Sequence, residues 1–174
     1  MSGFYHSRAN TEKDRGALPL KIITCMNQEI ICSGALIYSL KSKRFLLLHR
    51  TQSKQKNVWG LVGGTNGKNE RPWPALQREI IEEVGELPNI VKTIPLETFV
   101  STDEKFSFHT YLVVVNDEFL PILNEEHDGY AWVSFDKWPK PLHQGLRNTL
   151  QNKTNQTKLK TVFDLIGYLQ NEAD

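Results

Sequence analysis

The feature that most constrains this chain is a group of three glutamates that closely follows a cluster of glycines. The stretch GLVGGTNGKNERPWPALQREIIEEVGE covers residues 60–86 and contains Glu79, Glu82 and Glu83. Like charges three or four residues apart destabilise an isolated helix by about 0.2–0.5 kcal/mol per pair. A bound cation is the usual compensation for such a group, and an acidic, solvated helix face is the alternative.

The glutamates are predicted to lie on a helix that packs against a sheet. Pro72 and Pro74 suit its first turn, and Gly85 suits the position just past its end. At 3.6 residues per turn, one arc of the helix collects the apolar side chains, which are Trp73, Leu76, Ile80 and Val84. The glutamates fall on another side of the same helix, so their carboxylates project into a small volume.

The chemistry of these donors indicates which cation they favour. Oxygen donors without nearby Cys or His suit Mg²⁺ or Mn²⁺ better than Zn²⁺. Mg²⁺ retains several waters and shares its shell with substrate phosphates. Gly63 and Gly64 fit this picture, because a backbone without side chains can approach a metal or a phosphate closely.

Composition and charge exclude some broad classes of function. The 174 residues suit one domain, with 39% hydrophobic and 24% charged residues. A formal net charge of +1 gives no global attraction to nucleic acid or to an anionic membrane. We therefore expect no nucleic-acid partner, and any phosphate site must be local.

The two cysteines and the N-terminal residues favour a cytoplasmic protein. Cys25 and Cys32 are interpreted as free thiols rather than a disulfide. Residues 1–19 are polar and charged and lack the apolar core of a secretory signal. No stretch approaches the roughly 18 apolar residues of a membrane span. We expect a partly ordered N-terminal arm over residues 1–27 and a single domain over residues 28–174.

The remaining elements predict an α/β or α+β sandwich. Strands around a central helix, with another helix at the end, are typical of this class. We expect a hairpin at 29–40 and 43–50, a strand pair at 97–101 and 106–116, a strand at 130–135, a polar linker at 147–160 and a helix at 161–172.

The spacing of the polar residues resembles the motif of the Nudix hydrolases, G-x5-E-x7-R-E-U-x-E-E-x-G-U, where U is a bulky aliphatic residue. Every glycine and polar position is met, by Gly64, Glu70, Arg78, Glu79, Glu82, Glu83 and Gly85. The final U position holds Glu86 instead, and Val62 stands where many members have proline. The later segment EEHDGYAWVSFDKWPKPLHQGL is similar to short, stand-alone members, including bacteriophage and bacterial ones.

This resemblance implies an α/β/α sandwich with a mixed sheet and a catalytic loop–helix–loop. It also implies a set of cation ligands, namely Glu79, Glu82, Glu83 and the Gly64 carbonyl. Arg78 matches the arginine that orients catalytic carboxylates, and Glu70 matches the glutamate that pairs with it or supports the metal shell. The implied reaction is attack by water on a phosphorus of a pyrophosphate, with a carboxylate taking the proton.

Residues outside the motif complete the predicted site. Many members recruit a further carboxylate from a later loop, and Glu126 is our choice as general base, with an ordinary loop residue as the alternative. Tyr130 and Trp132, at the edge of that loop, are candidates for stacking a nucleobase, with core packing as the alternative. His143 lies on a proline-stiffened segment and is a candidate to reach the site, with a structural or solvent-exposed histidine as the alternative.

The substrate is less constrained than the reaction. The family shares nucleoside diphosphates linked to a group X, and ADP-ribose or a dinucleoside polyphosphate is our first expectation. The alternative is an enzyme that hydrolyses oxidised deoxynucleoside triphosphates and so removes them from the nucleotide pool (sanitation). A non-catalytic nucleotide sensor is a further alternative, and a prenyl diphosphate isomerase would need a cysteine near the site. Many members dimerise, so a homodimer is a further expectation.

Overall fold

The computed structural model describes residues 29–52 and 55–171. The predicted N-terminal arm and Cys25 lie outside the described residues, and the domain boundary at residue 28 stays a prediction. Within the described part, strands and helices follow the chain as β1 Ile30–Ser39, β2 Arg44–Arg50, β3 Val58–Gly60, β4 Val62–Thr65, α1 Pro72–Val84, β5 Ile90–Val100, β6 Phe106–Val115, β7 His127–Val133, α2 Gln144–Gln151 and α3 Lys153–Asn171.

Strand β1 is the centre of a mixed sheet. It runs parallel to β6 along its whole length. Its other side pairs antiparallel with β4 in its first half and with β2 in its last residues. β5 continues the sheet beyond β6, while β3 and β7 both pair with β2. Because β1 has neighbours on both sides and helices over both faces, its last seven residues are buried.

Two apolar clusters lie on opposite faces of this sheet. One contains Leu76, Ile80 and Val84 of α1 packed on inward-facing strand residues. The other contains Leu146 and Leu150 of α2 together with Leu159 of α3. Helices therefore cover both faces, which confirms the predicted α/β/α sandwich with a mixed sheet.

The predicted hairpin between β1 and β2 is confirmed, whereas β5 begins earlier than predicted. It starts at Ile90, not Glu97, and it includes Pro95. Proline lacks the N–H that a ladder needs, so it is tolerated on edge strands. β5 pairs only with β6 among the described strands, which makes it such an edge.

The predicted linker at residues 147–160 is wrong, because this stretch is helical. Its polar residues surround Leu150 and Leu159, both buried in the core. Asn152 separates α2 from α3, and its side-chain oxygen accepts from the backbone N–H of Thr154 at 2.9 Å. An asparagine at this position caps the start of α3, so a composition typical of loops belongs here to two amphipathic helices. No helix in the described ranges is long and apolar enough to cross a membrane.

Candidate active site

Helix α1 presents the glutamates, and its ends are where the sequence predicts them. Pro72 occupies the first helical turn, and Gly85 ends the helix in a left-handed conformation with φ of 90°. The Gly85 N–H donates to the Ile81 carbonyl, which is the hydrogen bond expected after a helix end. The apolar face points into the sheet as predicted, with Trp73 packed at its margin.

Arg78 connects three of the carboxylates. Its Nη1 donates to Glu79 Oε1 at 2.7 Å and to Glu82 at 3.3 Å. Its Nη2 donates to Glu70 Oε2 at 3.0 Å and to the Thr65 carbonyl at 3.2 Å. These charge-assisted hydrogen bonds hold the pKa of Arg78 above its usual range. The arginine therefore ties α1 to the end of β4.

Glu70 is held from two directions. Besides Arg78, the Gly67 N–H donates to Glu70 Oε2 at 2.7 Å. The hydrogen bond from Arg78, followed by that from Gly67, lowers the pKa of this carboxyl. Glu70 thus stays ionised and fixes the guanidinium, in agreement with the predicted pairing.

Glu83 turns away from Arg78 into the protein. It is 2% exposed, and its Oε2 accepts from the Gly63 N–H at 2.7 Å. Its Oε1 lies 3.8 Å from Nε2 of His127, whose side chain is fully buried. Burial raises the pKa of Glu83 to about 8, although the Gly63 N–H and the charge of Arg50 favour the ionised form. Glu83 is therefore one of the groups that could hold a cation.

His127 is the buried neighbour of that carboxylate. Its Nδ1 lies 2.9 Å from the Asn124 side-chain oxygen, whereas Nε2 has no hydrogen-bond partner among the described residues. Burial and the charge of Arg50 lower the pKa of His127 to about 4. The imidazole is therefore neutral near pH 7, so it would not compensate an ionised Glu83.

Neighbouring atoms leave no room for a side chain at either glycine of β4. Gly63 has φ of 142°, and a Cβ there would overlap the carbonyl oxygen of Ser33 in β1. A Cβ on Gly64 would lie 2.5 Å from Glu79 Oε2. The Glu79 carboxylate therefore rests directly on the Gly64 backbone, and a side chain at Gly64 would displace it.

Glu126, in the loop before β7, lies near the α1 glutamates. Its carboxylate lies 3.5 Å from Arg50 Nη2. Burial raises the pKa of Glu79 despite its hydrogen bond to Arg78, and the charges of Glu82 and Glu126 raise it further. The fold thus brings Glu126 into the electrostatic surroundings of the α1 glutamates, although it is distant from them in sequence.

The donors suit a divalent cation, although they are not gathered into a finished cage. No three His, Cys, Asp or Glu side chains within residues 29–52 and 55–171 surround one point closely enough to hold a metal. Arg78 accounts for the absence of a finished cage at Glu79 and Glu82, because it hydrogen-bonds to both carboxylates. All four proposed ligand groups carry oxygen, and the pKa values of Glu79 and Glu83 are raised mainly by burial. A hard cation would offset this accumulation of buried charge.

A cavity of about 610 Å³ opens on the face of the sheet covered by α2. No motif glutamate lines it, but Gly63 and Gly64 do, and these glycines contact Glu83 and Glu79. Gly63, Gly64 and Arg50 line one part of it, and three phenylalanines of β5 and β6 line another. His143 also lines it, and its Nδ1 accepts from the Gly145 N–H at the start of α2. A volume of several hundred Å³ is typical of small-molecule sites.

Tyr130 and Trp132 lie elsewhere. They line a separate, open groove together with Arg44 and Phe119. Trp132 also packs against the α1-side cluster, and its indole N–H donates to the Phe119 carbonyl at 3.2 Å. Their predicted stacking role stays a prediction, and the structure gives a packing role to Trp132, whereas Tyr130 is exposed.

Sequence reasoning missed Arg50 and the phenylalanines. Arg50 is a charged residue at the end of the apolar strand RFLLLHR, and this contrast was the available signal. Phe106 and Phe108 alternate along β6, so they share one face of the sheet. That this face belongs to a cavity depends on α2, whose position is not visible in the local pattern.

Comparisons with known proteins agree with this architecture. The family model described as NUDIX domain matches residues 31–153, which is more than half of the chain. No curated protein sequence matches the chain significantly.

Among solved structures, the MutT protein of Methanosarcina mazei Go1 is 25% identical with a TM-score of 0.58, and the match covers 75% of this chain and 96% of that one. The NUDIX domain of Shewanella oneidensis NrtR, solved in complex with ADP ribose, is 16% identical with a TM-score of 0.61, covering 75% and 88%. A Caenorhabditis elegans Ap4A hydrolase is 20% identical with a TM-score of 0.57, covering 75% and 98%.

The family match, the complete set of motif glutamates on and just before α1, and the sandwich that carries them lead to one conclusion. The chain belongs to the Nudix family and is a Nudix hydrolase, an enzyme that acts on pyrophosphate bonds.

Proposed function

We propose that this enzyme hydrolyses a nucleoside diphosphate linked to a group X, using Mg²⁺ or Mn²⁺, and that ADP-ribose or a dinucleoside polyphosphate is its substrate. One observation carries this proposal: the cavity and the carboxylate helix meet at Gly63 and Gly64. A nucleotide in the cavity would have its phosphates at the glycines and its nucleoside among the apolar side chains. Nudix hydrolases generally use such divalent metals.

The ligand groups for the cation are those that crowd this junction, namely Glu79, Glu82, Glu83 and the Gly64 carbonyl. A bound cation supplies screening of the phosphate charge and a lower pKa for water. Arg78, held by Glu70, positions Glu79 and the end of β4, a role supported by its hydrogen bonds to Glu70, Glu79 and the Thr65 carbonyl. Arg50 lines the cavity beside Glu126, so it contributes positive charge where phosphate would lie.

The chain's own residues then complete the hydrolysis. Water attacks a phosphorus of the pyrophosphate, and the bond from that phosphorus to the bridging oxygen breaks. The attacking water gives its proton to the Glu126 carboxylate, and the bridging oxygen leaves with the second phosphate. Glu126 suits this role because it is half-exposed near the carboxylate helix, and Arg50 keeps its orientation.

Glu126→Gln is expected to lower kcat by about a hundredfold or more, because general-base catalysis contributes at least this much. The measurement is kcat at saturating Mg²⁺. Glu125→Gln is the matched control, since Glu125 is the exposed neighbour in the same loop. If kcat of Glu126→Gln stays within about twofold of the unmodified enzyme, another group takes the proton.

A substrate panel tests the identity of X. The solved neighbours include a NUDIX domain bound to ADP ribose and an Ap4A hydrolase. ADP-ribose and Ap4A each contain a nucleoside joined to phosphate groups, which suits a cavity lined by apolar side chains and by Gly63 and Gly64. Chromatography should show AMP released from ADP-ribose or from a dinucleoside polyphosphate. Inorganic pyrophosphate released from oxidised deoxynucleoside triphosphates would favour the sanitation alternative instead. Binding without turnover of any compound would favour the sensor.

Cys32 supports one other candidate, an isomerase of prenyl diphosphates. Its thiol lines the cavity and lies 3.6 Å from the Thr65 hydroxyl oxygen. Burial raises the pKa of this thiol, which decreases the reactive thiolate. Cys32→Ser is therefore expected to leave hydrolysis within about twofold. Isomerisation of a prenyl diphosphate by the enzyme, lost in Cys32→Ser, would support the isomerase.

A further inference from the structure

We propose that Glu97 and three phenylalanines form the nucleobase site of this cavity, and that Glu97 selects adenine by accepting a hydrogen bond from its 6-amino group. The proposal rests on the proposed function, since it names the base of the nucleotide that would be hydrolysed. It concerns the end of the cavity formed by β5, β6 and α2, away from the motif glutamates.

The phenylalanines form an aromatic surface along two strands. Phe99 of β5 and Phe108 of β6 are direct cross-strand partners. Phe106 lies two residues before Phe108, on the same face of β6. Ring centroids lie 6.2 Å apart between Phe99 and Phe106 and 6.5 Å apart between Phe106 and Phe108. All three rings line the cavity, and Phe99 is 52% exposed. Exposed aromatic faces of this kind stack on nucleobases regardless of sequence.

Gly34 allows Phe108 to occupy its position. A Cβ on Gly34 of β1 would lie 2.8 Å from Phe108 Cζ, so the ring lies across the glycine backbone. The cavity floor at this end is therefore an aromatic ring held by the sheet, rather than a mobile surface side chain.

Glu97 is the charged group beside this aromatic surface. It precedes Phe99 by two residues and pairs across the strands with Thr110, while Phe99 pairs with Phe108. Side chains at i and i+2 of a strand share a face, and all four of these residues line the cavity. The edge of a base stacked on the phenylalanines would thus lie within reach of the carboxylate.

Two donors from the helical layer fix the Glu97 carboxylate. The Thr149 hydroxyl donates to Oε2 at 2.7 Å, and the Asn152 amide donates to Oε1 at 3.3 Å. Each carboxylate oxygen accepts more than one hydrogen bond, so acceptor capacity remains for a ligand. A carboxylate that is already oriented loses little freedom when it binds the amino group of a base.

Asn148 supplies the complementary donor. It lines the cavity one helical turn before Asn152. Its Oδ1 accepts from the Gln144 amide at 2.7 Å, which leaves the Nδ2 amino group to donate to a ligand. An acceptor at Glu97 and a donor at Asn148 match the edge of adenine, where the 6-amino donor stands beside the N1 acceptor.

The sheet order sets the orientation of the nucleotide. Glu97 and the phenylalanines line the cavity from β5 and β6, on one side of β1, whereas Arg50, Gly63 and Gly64 line it from β2 and β4, on the other side. The cavity therefore offers an aromatic and acceptor surface for the base, and a cation and backbone groups for the phosphates.

Equilibrium binding separates this proposal from hydrolysis. The probes are AMP, purine riboside 5′-monophosphate, which lacks only the 6-amino group, and GMP. Calorimetry on the full chain should show AMP binding about tenfold to a hundredfold tighter than purine riboside 5′-monophosphate. Glu97→Gln should weaken AMP binding by about tenfold and leave purine riboside 5′-monophosphate unchanged. Glu118→Gln, in the separate groove, is the matched control and should change neither.

Phe99→Ala provides a second variant, because Phe99 is half-exposed and its removal spares the core. It should weaken both nucleotides by the same factor, about tenfold, since stacking does not depend on the amino group. Equal affinities for AMP and the purine analogue in the unmodified protein would overturn the role of Glu97, and so would tighter binding of GMP. Selective AMP binding without hydrolysis of any panel compound would overturn only the proposed function.

Discussion

Glu83→Gln is expected to lower kcat/KM by about a thousandfold at millimolar Mg²⁺. Glu83 is a proposed ligand of the metal ion, a bound metal contributes several kcal/mol to stabilising charge in the transition state, and each 1.36 kcal/mol is a factor of ten in rate. Glu83 has a special place among the motif glutamates because it is 2% exposed and accepts from the Gly63 N–H. The measurement is the rate of AMP release from the preferred panel substrate over a range of Mg²⁺ concentrations.

Two controls show whether this loss reflects catalysis rather than folding. Glu86→Gln alters an exposed glutamate just beyond the helix and should retain full activity.

The second control is the stability of metal-free Glu83→Gln, which should not fall. Burial raises the pKa of Glu83 from its ordinary value of 4.5 to about 8, so the ionised carboxylate destabilises the folded protein increasingly as the pH rises through that window. Glutamine still accepts from Gly63 and removes this penalty, so the variant should unfold at a higher temperature than the unmodified protein at pH 9. Full activity of Glu83→Gln would contradict its assignment as a ligand.

Gly63→Ala is expected to destabilise the protein by about 3 kcal/mol, which lowers Tm by roughly 6–12 °C. A backbone φ of 142° is unfavourable for alanine, and the added Cβ would overlap the Ser33 carbonyl oxygen. Relief requires β4 to move away from β1, where Gly63 pairs with Gly34. Because the Gly63 N–H also holds Glu83, the same movement should decrease activity in the protein that remains folded.

Gly129→Ala is the matched control for this prediction. A Cβ on Gly129 would make an ordinary contact at 3.6 Å with His49 Cβ. Thermal unfolding of Gly129→Ala should therefore resemble that of the unmodified protein. Equal melting temperatures for the two variants would show that β4 has more room than the structure indicates.

Local patterns were enough to predict helix α1 and its environment. The prolines, Gly85 and the spacing of Leu76, Ile80 and Val84 all act within a few residues, so the helix, its ends and its buried face were visible before the fold. The motif spacing was likewise local, and it predicted the family. The β1–β2 hairpin followed from two apolar runs joined by a short polar turn.

Local sequence patterns did not predict the secondary structure of segments that are stabilised by residues distant in sequence. β3 and β4 are short and rich in glycine, and they are strands because β2 and β1 supply their hydrogen bonds. Residues 147–160 were predicted to be a linker because polar residues predominate there. Their helices are stabilised by burying Leu150 and Leu159 against the sheet.

The sequence by itself determined the chemistry of this protein: the donor types, their helical spacing and the family they belong to. Tertiary structure decided which carboxylate is buried, since Glu83 enters the core only because β4 lies beside α1. It also placed Glu126 and Arg50 near that helix, and it closed α2 over the phenylalanines to form a cavity. Helical spacing depends on neighbours in the chain, whereas burial, electrostatic surroundings and cavity shape depend on residues that are distant in sequence.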